Sequence, residues 1–185
     1  MNLVNQQKIQ EFFARLDEAF GRPARVYLIG ETTQVWEGWQ EWTAQIEFSA
    51  EIAPEKRPAF DTALETVQKA LGLEALEEHP GDLIPLPQGH RDRARPAGAQ
   101  TGKRLEIYHF DPYSAAFRFI ARGDEPDYHL VLAYLDRGWI TEAQMDALLT
   151  ELLPKFSMQT IQQDPAEFRR KYKGLKQMWR ARVGV

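Results

Sequence analysis

The chain of 185 residues contains no cysteine, which excludes disulfides, thiolate metal sites, iron–sulfur clusters and thiol nucleophiles. It also has no apolar run near the roughly 18 residues that a bilayer-spanning helix needs, and its first residues do not join a basic start to an apolar stretch. Its formal net charge of -4 leaves no surplus of basic residues for general nucleic-acid binding. These absences predict a soluble, unexported, cytoplasmic protein that does not bind membranes.

The composition, 43% hydrophobic and 27% charged, is that of an ordinary globular protein. Periodicity predicts an α/β (α+β) fold, in which a small mixed sheet is covered by helices. A core of residues 1–110 is followed by a helical C-terminal part, 111–185, which we expect to pack on the core. Helices are predicted at 5–20, 31–38, 54–71, 113–122, 128–136, 141–153 and 164–183, strands at 24–29, 43–52 and 105–110, and a long loop at 79–102 with a brief strand at 82–86.

The stretch from Val26 to Phe48 carries the pattern with the clearest chemical meaning. A short apolar strand stops at Gly30, a small helix follows, and an alternating strand then places Gln45 and Glu47 on one side. Transfer of a nucleotidyl group needs backbone donors for the phosphates and carboxylates for divalent ions. A small residue after a strand exposes backbone donors to the phosphates. Two carboxylates separated by one residue on a strand point to the same side and can hold the divalent ions.

This stretch resembles the nucleotidyltransferase superfamily, in particular small bacterial proteins related to the nucleotidyltransferase-like toxins and antitoxins of toxin-antitoxin and abortive-infection systems. In that family a strand ends in Gly-Gly or Gly-Ser, a short helix ends near a glycine, and a threonine precedes an Asp-x-Asp strand. The corresponding residues here are Gly30-Glu31, Gly38 and Thr43 followed by Gln45-Ile46-Glu47. The stretches IPLPQGHRDRAR, LEIYHFDPYSAAFRFIARG and RGWIT also look like the family's central loop, last strand and C-terminal helices, so the similarity covers most of residues 5–155.

The resemblance implies a set of site residues and a cofactor. Gln45 and Glu47 occupy the catalytic Asp-x-Asp positions, and the nucleotide-binding positions are Gly30, Glu31, Thr32 and Arg118. Arg118 stands where family members often carry a lysine, and an arginine keeps the capacity to bind phosphate. The implied cofactor is Mg²⁺ or Mn²⁺ with a nucleoside triphosphate.

Two departures from the family pattern argue against catalysis. Gln45 carries no negative charge and is a poor ligand for a hard divalent ion, and Glu31 would repel a phosphate at the start of the helix. Glu106 on the last strand offers a replacement metal ligand. Together with Glu47 and Glu31 it would form an all-glutamate metal site. Strand alternation alone would also place Gln45 and Glu47 on a solvated face, with no functional role. Gly30 would likewise serve in a tight turn that binds no ligand.

The sequence therefore predicts a catalytically impaired nucleotidyltransferase-like protein that binds a nucleotide, an RNA or a protein partner, within a toxin-antitoxin or defence system. One alternative is an active metal-dependent nucleotidyltransferase that modifies RNA or protein. Another is a structural or oligomerisation scaffold, and a homo-oligomer is compatible with all three.

Four further groups of residues lie outside this pattern. Trp36, Trp39 and Trp42 recur every third residue, which on a helix makes one ridge for core packing, a partner interface or base stacking; Trp39 and Trp42 are expected to be exposed. The four histidines have no metal-like spacing, so we expect them at the surface or in loops. The run HRDRAR is either a solvated loop or an anion clamp formed by His90, Arg91, Arg93 and Arg95. The C-terminal helix has a basic face for solvent, a partner or RNA, formed by Arg169, Arg170, Lys171, Lys173, Lys176, Arg180 and Arg182.

Overall fold

The structure is a computed structural model that describes residues 3–98, 104–156 and 163–184. The fold is mixed α/β, as predicted, and the chain divides into two compact units, Met1–Glu78 with Ala94–Phe110 and His79–Arg93 with Asp111–Val185. Residues 79–93, expected within the first part, thus lie in the second unit. The first unit contains α1 (Gln6–Phe20), β1 (Ala24–Leu28), α2 (Glu31–Trp36), β2 (Ile46–Glu51), α3 (Arg57–Leu71), β3 (Ala75–Glu77), β4 (Arg95–Pro96) and β5 (Leu105–His109).

The sheet of the first unit has the strand order β3-β2-β1-β5-β4. Strand β1 runs antiparallel to β2 and parallel to β5, so the sheet is mixed. Its outer pairs are β2 with β3, parallel, and β5 with β4, antiparallel. Because side chains alternate along each strand, one face presents aliphatic and aromatic residues, and these join the buried residues of α1 and α3 in one core.

Helix α1 illustrates how the sequence builds that core. The Asn5 side chain caps the helix by accepting a hydrogen bond from the Lys8 main-chain nitrogen at 3.0 Å. Gly21 ends it in the left-handed conformation, at φ 65°. On the buried face, the ring of Phe13 meets that of Phe48 on β2 edge-on, with centroids 5.9 Å apart. The helix predicted at 5–20 is confirmed, and its apolar face packs into the core.

The loop and strand boundaries differ from the prediction in three places. Strand β2 is shorter than the predicted 43–52, and residues 82–86 form no strand, since a 3₁₀ turn, Pro80–Asp82, is followed by further turns. Pro85 lies within that stretch and has no N–H to donate to a ladder. Strands β3 and β4 were not predicted because two or three residues are too short to show a period. Residues 99–102 of the predicted loop lie outside the described residues.

The second unit is helical, with α4 (Pro112–Arg122), α5 (Glu125–Asp136), α6 (Glu142–Leu152) and α7 (Pro165–Val183). Helix α4 contacts α5 and α7. Asp111 is the N-cap of α4, and α7 buries Phe168, Tyr172 and Leu175 on its apolar face. In the described part of the chain, no helix has both the length and the apolar character that crossing a membrane requires.

Candidate functional site

The turn between β1 and α2 is built around Gly30. Its backbone lies at φ 64° and ψ -138°, a conformation that residues with a side chain rarely adopt. Helix α2 then starts directly at Glu31 and has six residues. The predicted order of strand, glycine turn, short helix and alternating strand is therefore present in the first unit.

Side chains at the start of α2 are tied to the chain entering β2. The hydroxyl of Thr43 lies 2.8 Å from a carboxylate oxygen of Glu31 and 3.1 Å from the main-chain oxygen of Gln45. The hydroxyl oxygen of Thr32 accepts a hydrogen bond from the main-chain nitrogen of Glu47 at 2.7 Å. The carboxylate of Glu31 and the hydroxyl of Thr32 thus hold the helix start against the chain that enters β2.

Gln45 lies just before β2 and Glu47 lies on it, and their side chains contact each other. The Gln45 side-chain nitrogen donates to Oε1 of Glu47 over a long 3.4 Å, and both side chains are half-buried. The amide orientation follows from chemistry, because the amide oxygen would be repelled by the carboxylate. We call Glu31, Thr32, Thr43, Gln45 and Glu47 together the strand-entry network.

The predicted metal partner of Glu47, Glu106, lies elsewhere on the sheet. Glu106 is in register with Arg25 on β1, whereas the main-chain oxygen of Glu47 accepts from the Ile29 nitrogen. Arg25 and Ile29 are four positions apart, which corresponds to about 13 Å along a strand. The Glu106 carboxylate instead accepts from the Arg25 guanidinium at 2.8 Å. The structure therefore does not bring the three predicted glutamates together.

The donor set does not fit a divalent cation. A hard cation takes several oxygen ligands, and here Gln45 directs an N–H group at the Glu47 carboxylate. No group of three potential ligands that could hold a metal is found among the described residues.

Arg118 lies on α4, in the second unit. Its guanidinium donates to the main-chain oxygen of His79 at 3.4 Å, within the same unit. Arg93, part of the predicted anion clamp, is bound to Asp111, with Nη2 donating to Oδ2 at 2.8 Å. Asp111 is fully buried, and its carboxylate also accepts from the hydroxyl of Ser114 at 2.7 Å. The clamp prediction therefore fails for Arg93, because this guanidinium supports the cap of α4.

A buried histidine is the main feature that the sequence interpretation missed. His109 ends β5 and is 1% exposed, so the expected surface or loop position is wrong for it. Its Nε2 donates to Oε1 of Glu37 at 2.7 Å, and its Nδ1 lies 3.3 Å from the hydroxyl oxygen of Thr33. The hydrogen bond from His109 is the largest cause that lowers the pKa of Glu37 below its ordinary value. The alternation of Leu105, Ile107 and His109 was the available signal.

The Thr33, His109 and Glu37 side chains form a line of hydroxyl, imidazole and carboxylate. Such a line can activate a hydroxyl nucleophile when the hydroxyl reaches a substrate. Thr33 is fully buried, so its hydroxyl contacts the histidine and no outside molecule. In this conformation the three residues fasten α2 to the end of β5.

Comparisons with protein-family models, with curated proteins and with solved structures give no match for this chain.

The three tryptophans do not share a helix, since α2 ends at Trp36. Trp36 is buried, and its indole nitrogen donates to the main-chain oxygen of Ala97 at 2.7 Å. Trp39 is half-buried and Trp42 is 47% exposed. The expected exposure therefore holds fully for Trp42 and in part for Trp39.

The basic face of α7 is largely engaged within the second unit. Lys176 lies 2.9 Å from Asp146 and 3.1 Å from Glu142, both on α6. Arg180 also pairs with Glu142, and these interactions lower the pKa of that carboxyl group. Lys171 contacts Ala121 on α4 and Arg182 contacts Asp136 on α5, so four of the seven predicted basic residues join α7 to other helices of the same unit.

Proposed function

We propose that this protein is a catalytically impaired nucleotidyltransferase-like protein that acts by binding a nucleotide, an RNA or a protein partner. A place in a toxin-antitoxin or defence pair is part of the same proposal. The observation that carries it is the hydrogen bond from Gln45 to Glu47 within the strand-entry network. An Asp-x-Asp pair presents two negative charges to a cation. Gln45 and Glu47 present only the charge of Glu47, and the Gln45 amide already contacts that carboxylate.

The position of Glu31 supports the same proposal. Its carboxylate stands at the first residue of α2, where a phosphate would dock in the family, and it is bound by the Thr43 hydroxyl. A triphosphate arriving at this turn would meet a fixed negative charge. Both the metal position and the phosphate position are thus occupied by groups that oppose nucleotidyl transfer.

A transfer assay tests the proposal. The purified protein is incubated with each labelled nucleoside triphosphate, Mg²⁺ or Mn²⁺, and bulk tRNA. We expect no transferred label, because the chain lacks the charge needed to hold the ions. Transfer that disappears in Glu47→Ala would contradict the proposal and favour the active enzyme.

A reconstruction experiment tests the reason given for the lost chemistry. The double variant Gln45→Asp with Glu47→Asp restores two short carboxylates, and we expect calorimetry to detect at least tenfold tighter Mn²⁺ binding than in the wild type. Gln177→Asp is the matched control, since it adds the same charge at an exposed position on α7. Equal Mn²⁺ affinity in the double variant and the control would contradict the argument.

Binding is tested separately. Calorimetric titration with each nucleotide, with and without metal, distinguishes a nucleotide-binding protein from one that binds only a macromolecule. A neighbouring gene that encodes a small helix-turn-helix or HEPN-like protein would support the toxin-antitoxin part of the proposal.

A further inference from the structure

A polar groove lies in the first unit, between the start of α1 and the loop that follows α2. It is an open groove with a volume of about 470 Å³, and its lining includes Trp39, Glu41, Asn5, Gln7 and Gln40. Small-molecule sites typically measure ~300–1,000 Å³. The groove is therefore large enough for a nucleoside, and it contains no member of the strand-entry network.

The loop that carries Trp39 is held in place by the protein itself. The main-chain oxygen of Gln34 accepts from the nitrogens of Trp39, at 2.8 Å, and Gln40, at 3.3 Å. The Gln40 side chain then donates to the main-chain oxygen of Trp42 at 2.6 Å. A loop whose backbone is ordered before a ligand arrives costs less ordering entropy when the ligand binds.

The charges of the lining favour an uncharged ligand. Glu41 is exposed and supplies one negative charge, and the lining has no Lys, Arg or His within the described residues. A phosphate would therefore be repelled. On the other wall, Gln7 offers a side-chain amide, and Asn5 directs its oxygen to the Lys8 nitrogen, which leaves its NH₂ group as a donor. A planar ligand with donors on one part of its edge and acceptors on the other suits this lining.

We propose that this groove binds a guanine base. Guanine presents two adjacent donors, N1–H and the N2 amino group, which one carboxylate can accept together, as Glu41 would. Its O6 and N7 are acceptors for amide N–H groups such as those of Asn5 and Gln7. Its ring face stacks on an aromatic side chain, here Trp39. Adenine has an acceptor at N1, which would face the Glu41 carboxylate and be repelled.

Equilibrium dialysis with labelled guanosine in metal-free buffer tests the proposal. Guanosine carries no phosphate and the buffer contains no metal, so the assay does not depend on the proposed nucleotidyltransferase-like function. We expect guanosine to bind at least tenfold more tightly than adenosine, with inosine, which lacks the N2 amino group, in between. Equal affinities for guanosine and adenosine, or no guanosine binding at 1 mM, would overturn the assignment.

Variants of the lining locate the site. Glu41→Gln should weaken guanosine binding at least tenfold and reduce the preference over adenosine, whereas Glu18→Gln, an exposed glutamate on α1, should change neither. Loss of stacking in Trp39→Ala should weaken binding roughly 5- to 150-fold, and Trp39→Phe, which keeps a ring, should weaken it less. Equal binding by Glu41→Gln and Glu18→Gln, or displacement of guanosine by maltose, which would indicate a sugar site, contradicts the proposal.

Discussion

The hydrogen bond between His109 and Glu37 should stabilise the fold, and this stabilisation depends on the charge of Glu37 as well as on the geometry of the bond. Glu37→Gln keeps the size of the side chain and removes its negative charge. A hydrogen bond to a charged group contributes about 1.5–3 kcal/mol to stability. The Glu37 side chain is 31% exposed, so solvent screening lowers that contribution, and the glutamine oxygen can still accept from Nε2. We expect the variant to lose ~1–2 kcal/mol of unfolding free energy at pH 7.

The pH dependence of that loss follows from the pKa of Glu37. The hydrogen bond from His109 lowers this pKa below its ordinary value of 4.5, and the charges of His109 and Arg95 act in the same direction. Because the pKa is lower in the folded state, the stabilisation is complete above the unfolded value and is lost as the pH falls through the folded value. The difference between wild type and Glu37→Gln should therefore shrink below pH 4.5.

Urea unfolding followed by tryptophan fluorescence measures the difference at pH 7 and at several values down to pH 3.5. Glu41→Gln is the matched control, because it makes the same substitution at an exposed position of the same loop. Its unfolding free energy should stay within ~0.5 kcal/mol of the wild type. The reasoning is refuted if the two variants are equally stable at pH 7, or if the loss in Glu37→Gln grows on acidification.

Three substitutions test other contacts by the same urea assay. Phe48→Ala empties a fully buried position beside two phenylalanine rings and should cost ~3–5 kcal/mol, more than Phe48→Leu; equal losses would contradict the packing argument. Asp111→Ala leaves Arg93 without its carboxylate partner and removes the cap of α4, so a loss of ~3–5 kcal/mol is expected, and an unchanged midpoint would refute it. Gly30→Ala places a Cβ at a positive φ and should cost ~1–3 kcal/mol, whereas a neutral effect would show that the turn relaxes freely.

The elements that could be predicted from the sequence are those with a clear period. Helix α1 repeats apolar residues at helical spacing, and β2 and β5 alternate between buried and less buried positions. Strands β3 and β4 follow no such pattern, since two or three residues become a strand only when a neighbour pairs with them. That pairing is a tertiary property, so local sequence carries no signal for it.

The side-chain partners were less predictable than the elements. Alternation in β5 places His109 inward, and this signal was available, but its partner Glu37 lies 72 positions earlier in the chain. No periodicity links residues at that separation. The same applies to Arg93 and Asp111, because an arginine in a loop of mixed charge is usually solvated, and only the folded chain shows which carboxylate it reaches.

Electrostatics explains why the side chains of Gln45 and Glu47 can lie in contact. In an Asp-x-Asp strand the two side chains repel each other, and a divalent ion between them offsets that repulsion. Replacing the first carboxylate by Gln45 turns the repelling pair into one in which an N–H group faces Glu47. The carboxylate of Glu31 is likewise satisfied by a neighbouring hydroxyl. The Gln45–Glu47 pair therefore has no repulsion between like charges for an ion to offset, and this is the physical basis of the proposed loss of metal-dependent transfer.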